Sequence, residues 1–505
     1  MSQFFTPTDL ALSLPILLLT IFALWILLVD TWFPPESKWM LAAAAFVGLV
    51  FSAVGVLKIQ ILQNQSGQSG RPLEWAFYHA MKVDHMAIYF YYLFLGGAAL
   101  AILLSVHYLE LEHENHGEFY ALILFSVIGM MCMASGYDIV LIFIGLELMA
   151  ISTYVLVGYL RRDRRSNEAA LKYMLLGAFS SGIFAYGLSL LYGISGGTNL
   201  GQIQQVVAQM LMASGGKPNV VLILAMLTTM TGLLFKVAAI PFHQWAPDAY
   251  EGAPTCVTGF MSVAVKAAGW AMMLRILIWG LYPLRASWVP VLTIVSILTM
   301  TGANLAALTQ SNLKRLLAYS SIAHVGYMLL GLVAMGSVTY PAPAFFTGLK
   351  GILLYLLVYT FMNLGAFAVV TSLRQRHVIG DELADINGLY QRAPLEAILM
   401  LVFLLSLAGI PPLAGFYGKY FIFLGLVESG HYILATVAVL YAVFGLYYYM
   451  KIASAMFMKE AEEKTRLPIS VGVWAVLAVS ALATIGIGLL PDRFIRIAQW
   501  SIGLG

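Results

Sequence analysis

Runs of about 20 apolar residues, each long enough to cross a hydrocarbon core of about 30 Å, recur along the whole of this 505-residue chain. Each reads as a membrane-spanning helix, so the chain is expected to be an all-α polytopic membrane protein. Composition agrees: 61% of residues are hydrophobic and 10% charged, against roughly 45–50% and about 25% in soluble chains. A soluble enzyme, a disordered chain and a nucleic-acid binder are all excluded, the last also by a formal net charge of only +3. The two cysteines, Cys132 and Cys256, both lie in apolar segments and supply no CxxC pair or iron–sulfur ligand set. No cofactor is expected in this chain, and any electron transfer must happen elsewhere.

Polar punctuation between the runs divides them into about fourteen helices. Their approximate limits are 10–29, 39–62, 86–108, 118–135, 138–160, 169–193, 219–250, 253–279, 287–309, 316–336, 344–372, 395–426, 431–456 and 469–490. The first run lacks the basic leader and the small-residue cleavage site of a signal peptide and is kept as a helix. Gln202–Ala213 reads either as an amphipathic return along the membrane surface or as a plain loop. Lys38, Arg161–Arg165, Lys172, Lys314-Arg315, Arg374, Arg376, Arg392, Lys451, Lys459, Lys464 and Arg466 fall on one alternate set of loops. The positive-inside rule then puts both termini on the outer side.

Removing those topological charges leaves Lys236, Lys266, Lys350 and Lys419 inside apolar segments, with Glu147 as the one clear mid-span carboxylate. An ionised lysine at the bilayer centre costs about 2.5–3.5 kcal/mol on insertion scales and usually lines an ion pathway or pairs. Lys350 lies close enough to a helix end to snorkel, whereas Lys266 does not. Glu147, in Gly145-Leu146-Glu147-Leu148, reads as functional, the alternative being a structural ion pair.

Two segments are too long for one straight helix. Residues 219–250 contain Pro241 and Pro247, and residues 395–426 contain Gly409-Ile410-Pro411-Pro412. Proline removes a backbone donor and clashes with the preceding turn, so helices 7 and 12 should break, with Lys236 before the first break and Lys419 after the second. Paired interruptions of this kind point to an inverted-repeat transporter. The breaks are five helices apart, and an odd repeat inserts its second copy upside down. Helices 4–8 and 9–13 therefore form the expected pair, giving residues 1–117 as three leading helices, 118–280 and 281–456 as the repeats, and 457–505 as a last helix and tail.

His79, His85, His113, His116, His377 and His431 fall in loops or at helix edges and read as solvated. His243, at the first break, and His324, within helix 10, stand where water could enter. Imidazole titrates near neutrality, so both are open to a proton-relay role or to structural hydrogen bonding. Tyr447-Tyr448-Tyr449 reads as packing or interface belt.

Several of these motifs resemble one family. Gly145-Leu146-Glu147-Leu148, Lys172-Tyr173, Phe235-Lys236, the run from Pro241-Phe242-His243-Gln244-Trp245 to Pro247-Asp248-Ala249-Tyr250-Glu251-Gly252-Ala253-Pro254, Lys266, Ser311-Asn312-Leu313-Lys314-Arg315 to Ser320-Ser321-Ile322-Ala323-His324, and Ser406 to Pro412 followed by Gly418-Lys419 are similar to subunit N of the proton-pumping NADH–quinone oxidoreductase, respiratory complex I. The match runs from about helix 4 to helix 13; helices 1–3 and 14 resemble it in hydropathy alone. Sister antiporter-like subunits usually carry histidine at the place of Lys266, and the M-type tends to have glutamate at that of Lys419. Lys350 matches no family residue.

The resemblance implies one proton-translocating module of a redox-driven translocase, moving protons through Glu147, Lys236, Lys266 and Lys419 with His243 and His324 as candidate relays. NADH, FMN, iron–sulfur clusters and quinone would belong to partner subunits. The implied partners are a neighbouring antiporter-like subunit, small membrane subunits and the lipid of a bacterial inner membrane rather than an organellar one. The rival reading is a subunit of a multi-subunit cation/proton antiporter, which would need a sodium path that no further mid-span carboxylate offers.

Overall fold

The computed structural model describes residues 6–34, 37–68, 73–374, 380–461 and 470–503. The predicted basic positions Arg376, Lys464 and Arg466 and the loop histidine His377 lie outside the described residues. The chain opens with α1 (Pro7–Asp30), α2 (Trp39–Gln68) and α3 (His85–Glu112). The first repeat comprises α4 (Gly117–Ser135), α5 (Ile139–Val157), α6 (Arg164–Ser195), α7 (Leu200–Ala213), α8 (Val220–Val237), α9 (Trp245–Gly252), α10 (Thr255–Phe260) and α11 (Lys266–Leu274). The second comprises α12 (Arg285–Thr309), α13 (Leu313–Gly336), α14 (Pro343–Ser372), α15 (Leu389–Arg392), α16 (Pro394–Ala408), α17 (Ala414–Glu428) and α18 (Tyr432–Met458), followed by α19 (Val471–Leu489) and α20 (Pro491–Ser501).

Among the described residues thirteen helical stretches are long and apolar enough to cross a membrane, Thr255–Gly280 counting as one. The broken α16–α17 pair makes the fourteenth. Thr255–Gly280 is helical throughout but changes hydrogen-bond pattern: Met261–Val265 and Arg275–Gly280 are π-helical turns on either side of α11.

The packing repeats. Helix α4 lies against α5 as α12 lies against α13, and α6 holds α8 and α9 as α14 holds α16 and α17. At the first crossing glycines permit the close approach: a Cβ on Gly129 would sit 2.5 Å from the Gly145 carbonyl, and one on Gly145 2.7 Å from that of Gly129. Small residues of this kind let backbones meet where lipid offers no hydrophobic drive. The central stretch Thr255–Gly280 and α13 are almost wholly buried, whereas α1 and α18 show most of their surface.

Three features have no counterpart in the sequence reading. Trp75–Ala76 and Met81–Lys82 pair as a short antiparallel hairpin. Helix α20 is short and amphipathic: Asp492, Arg493 and Arg496 are exposed, while Ala498 and Ser501 are buried. The third feature is Arg275, fully buried in the second π-helical turn. Its guanidinium holds the Asp84 carboxylate through two hydrogen bonds of 2.7 and 2.5 Å and donates to the Ala134 carbonyl at 2.7 Å. Burial would push the Asp84 carboxyl up, but the charge and hydrogen bonds of Arg275 hold it below the usual carboxylate range. The pair ties the hairpin end of α3 to α4 and to the central stretch. The segment left open between a surface return and a loop is a helix, α7.

Candidate functional site

Both predicted breaks are present, and each exposes carbonyls that a continuous helix would use. Helix α8 ends at Ala238 in the left-handed region (φ 62°), and the chain re-enters a helix only at Trp245. Helix α16 ends at Gly409 (φ 88°) and resumes at Ala414. Side-chain hydroxyls take up backbone N–H groups at the breaks: the Ile240 N–H reaches Thr299 Oγ1 of α12 at 3.0 Å, and the Gly415 N–H reaches back to Ser406 Oγ of α16 at 3.0 Å.

Lys236 stands in the last turn of α8 and is 4% exposed. The rings of Tyr154 and Tyr173 flank its ammonium, with centroids 5.6 and 6.0 Å away, within cation–π range. Glu147 lies in the middle of α5. Among the described residues Glu147 Oε1 and Lys236 Nζ are both buried without a hydrogen-bond partner, although the carboxylate acts electrostatically on the ammonium. The two approach each other without forming a contact ion pair.

Lys236 packs over Gly269, where an added Cβ would lie 3.5 Å from the lysine Cβ. Lys266 lies three residues before that glycine on α11. It is 3% exposed, donates to the Ser321 carbonyl at 3.2 Å and bonds to the Ser321 hydroxyl. From Ser321 the polar groups continue along α13. Ser320 bonds to the Tyr449 hydroxyl, which lies 3.0 Å from His324 Nε2, and His324 Nδ1 lies 2.5 Å from the Tyr355 hydroxyl. Tyr355 packs on Gly418, beside Lys419. Lys419 donates to the carbonyls of Leu407 and Ala408 at 3.0 and 2.7 Å, acceptors that the break leaves without intrahelical partners. The Tyr327 ring lies 5.1 Å from its ammonium, and a groove of about 660 Å³ opens beside it between α17 and α18.

The structure therefore brings Lys266, His324 and Lys419 onto one line of polar side chains and sets Lys236 beside its start. His243 remains at the first break, its Nδ1 buried with no hydrogen-bond partner among the described residues. Lys350 lies apart, over the Phe421 ring at 4.2 Å. In Tyr447-Tyr448-Tyr449, Tyr447 is 66% exposed as in an interface belt, whereas Tyr449 is 1% exposed, packed in the interior, and also hydrogen-bonds His324. Nothing in the sequence singles out Tyr355, and Ser320 and Ser321 stand out there only as part of the motif that ends at His324. Among the described residues no group of three or more His, Cys, Asp or Glu side chains could hold a metal ion.

The family described as NADH:quinone oxidoreductase/Mrp antiporter, TM, matches residues 136–445. NADH-quinone oxidoreductase subunit N 1 of Koribacter versatilis is 60% identical over 499 residues, covering 98% of this chain and 96% of that protein. The chain belongs to the subunit N family. Subunit N of Trichlorobacter lovleyi is 42% identical, covering 100% of this chain and 99% of the relative. Among solved structures, a chain of respiratory complex I from Thermus thermophilus with bound aureothin superposes with a TM-score of 0.78 at 31% identity, covering 95% of this chain and 98% of that one. A chain of the Mrp complex from Dietzia sp. superposes with a TM-score of 0.81 at 18% identity, covering 97% of each, a likeness of fold alone.

Proposed function

We propose that the chain is a proton-translocating, antiporter-like membrane subunit of NADH–quinone oxidoreductase, moving protons along Glu147, Lys236, Lys266, His324 and Lys419. NADH, FMN, iron–sulfur clusters and quinone belong to partner subunits in this reading, and the chain sits in a bacterial inner membrane with both termini outside. The residue divisions 1–117, 118–280, 281–456 and 457–505 are part of the same proposal, supported by the parallel packing around α6 and α14.

The observation that carries the reading is the row of buried polar side chains towards Lys419, in which Lys266 bonds to Ser321 and the neighbouring Ser320 bonds through Tyr449 and His324 to Tyr355. Lysine, imidazole and hydroxyl groups each accept and release protons, and here they stand in a buried interior where every such group is costly unless used or satisfied. Lys236, beside Glu147, supplies the loading end. Lys419, against helix-end carbonyls, supplies the release end.

In the assembled complex, Lys266→Ala is expected to abolish most proton pumping per NADH oxidised, while Lys350→Ala has a smaller effect. Acidification of inverted membrane vesicles measures both. Equal pumping by Lys266→Ala and the parent complex would remove Lys266 from the pathway.

A further inference from the structure

On the side of the membrane that carries Arg161–Arg165, a cup of about 130 Å³ opens between α6, α9 and the start of α13. Ion pairs line it: Lys172 with Glu168 at 2.8 Å and with Asp248 at 2.9 Å, and Arg315 with Asp248 at 2.8 Å and Glu251 at 2.6 Å. The cup is polar and has room for several waters. Lys172 is 46% exposed there.

One helical turn beyond the cup, two aromatic rings stack on each other. Ala169 lines the cup, and Tyr173, four residues on along the same face of α6, stacks on Trp245 with centroids 4.4 Å apart and planes 13° from parallel. Trp245 stands one turn before Asp248 on α9, and its indole N–H donates to the Phe235 carbonyl at 2.9 Å, fixing the ring against the last turn of α8. Both rings are buried, at 0% and 3% exposure. On their far side lies Lys236, whose ammonium is 6.0 Å from the Tyr173 centroid. A charged cup and a buried lysine thus flank one stacked pair.

We propose that Tyr173 and Trp245 form an aromatic gate between the cup and Lys236, so that parting the stack admits water, and with it protons, from that face. The ion pairs of Asp248 hold α9 to α6 and α13 and so hold the gate shut. The role assigned to Lys236 rests on the proposed function, but the barrier is tested without it.

The test uses the assembled complex in membrane vesicles, with Cys132→Ser and Cys256→Ser removing the native thiols of this chain. A thiol at the protected position, Lys236→Cys, is treated with the membrane-impermeant cation trimethylammonioethyl methanethiosulfonate from each face, and labelling is followed by the mass of this chain. Thiol modification requires access, so adding Trp245→Ala should speed labelling from the Arg161–Arg165 face by about tenfold or more. Labelling from the opposite face should not change. Tyr173→Ala and Trp245→Leu serve if Trp245→Ala fails to assemble. Equal rates with and without the stack, or acceleration only from the opposite face, would overturn the gate. The two readings fail separately: normal pumping by Lys236→Ala would remove that lysine from the pathway, whereas unchanged labelling would remove only the gate.

Discussion

Glu147 and Lys236 lie close enough to interact and far enough apart to leave both polar atoms without a hydrogen-bond partner among the described residues. An ammonium deprived of its counter-charge in a low-dielectric interior is costly, so Glu147→Gln should impair pumping about as much as Lys236→Ala. The double variant should lose much less than the sum, because partners that act as one unit are non-additive; fully additive losses in vesicle acidification would show that they act independently. The lysines were legible in the sequence because a charge in an apolar run is an anomaly with a definite cost. Tyr355 and Tyr449 were not, since a tyrosine in a membrane helix is ordinary and only tertiary packing aims its hydroxyl at His324.

The broken helices were legible for a different reason: Pro241 and Pro411-Pro412 remove backbone donors and clash with the preceding turn in the middle of segments too long for one span. What closes each gap was not legible: Thr299 is 59 residues from the Ile240 N–H it accepts, and Ser406 meets the Gly415 N–H only once the chain has folded back across its own break. At the second gap the fit is tight, and a Cβ on Gly415 would lie 1.8 Å from the Ser406 carbonyl oxygen. Gly415→Ala must push α17 off α16, and overpacking of this kind typically costs about 1–3 kcal/mol. A lower thermal midpoint of the purified complex, together with reduced pumping, is the expected outcome; an unchanged midpoint would mean that α17 moves freely. The π-helical turns around α11 and the Trp75–Lys82 hairpin gave no sequence signal, the first because a span buried on nearly every side has no polar face to register a change of helical period and the second because its strands are two residues long.

At the scale of the molecule, span number followed from apolar length, while the side on which the chain ends follows only from basic residues. Arg161–Arg165 and Lys314-Arg315 stand on one face, so a reporter fused after Gly505 should read out on the other, non-cytoplasmic side. A cytoplasmic signal would reverse the proposed orientation. Lys266 and His324 each lie near the middle of a spanning helix, and Lys236 and Lys419 stand beside the two helix breaks. In the proposed path, a charge passed along that row travels parallel to the membrane plane. Crossing the full bilayer is worth about 2.3 kcal/mol per elementary charge for each 100 mV, but travel within the plane encounters almost none of that voltage. Electrical work therefore falls on the short steps that join the row to the two aqueous faces, and an imposed transmembrane voltage should govern loading and release while leaving the lateral transfer between the lysines unchanged.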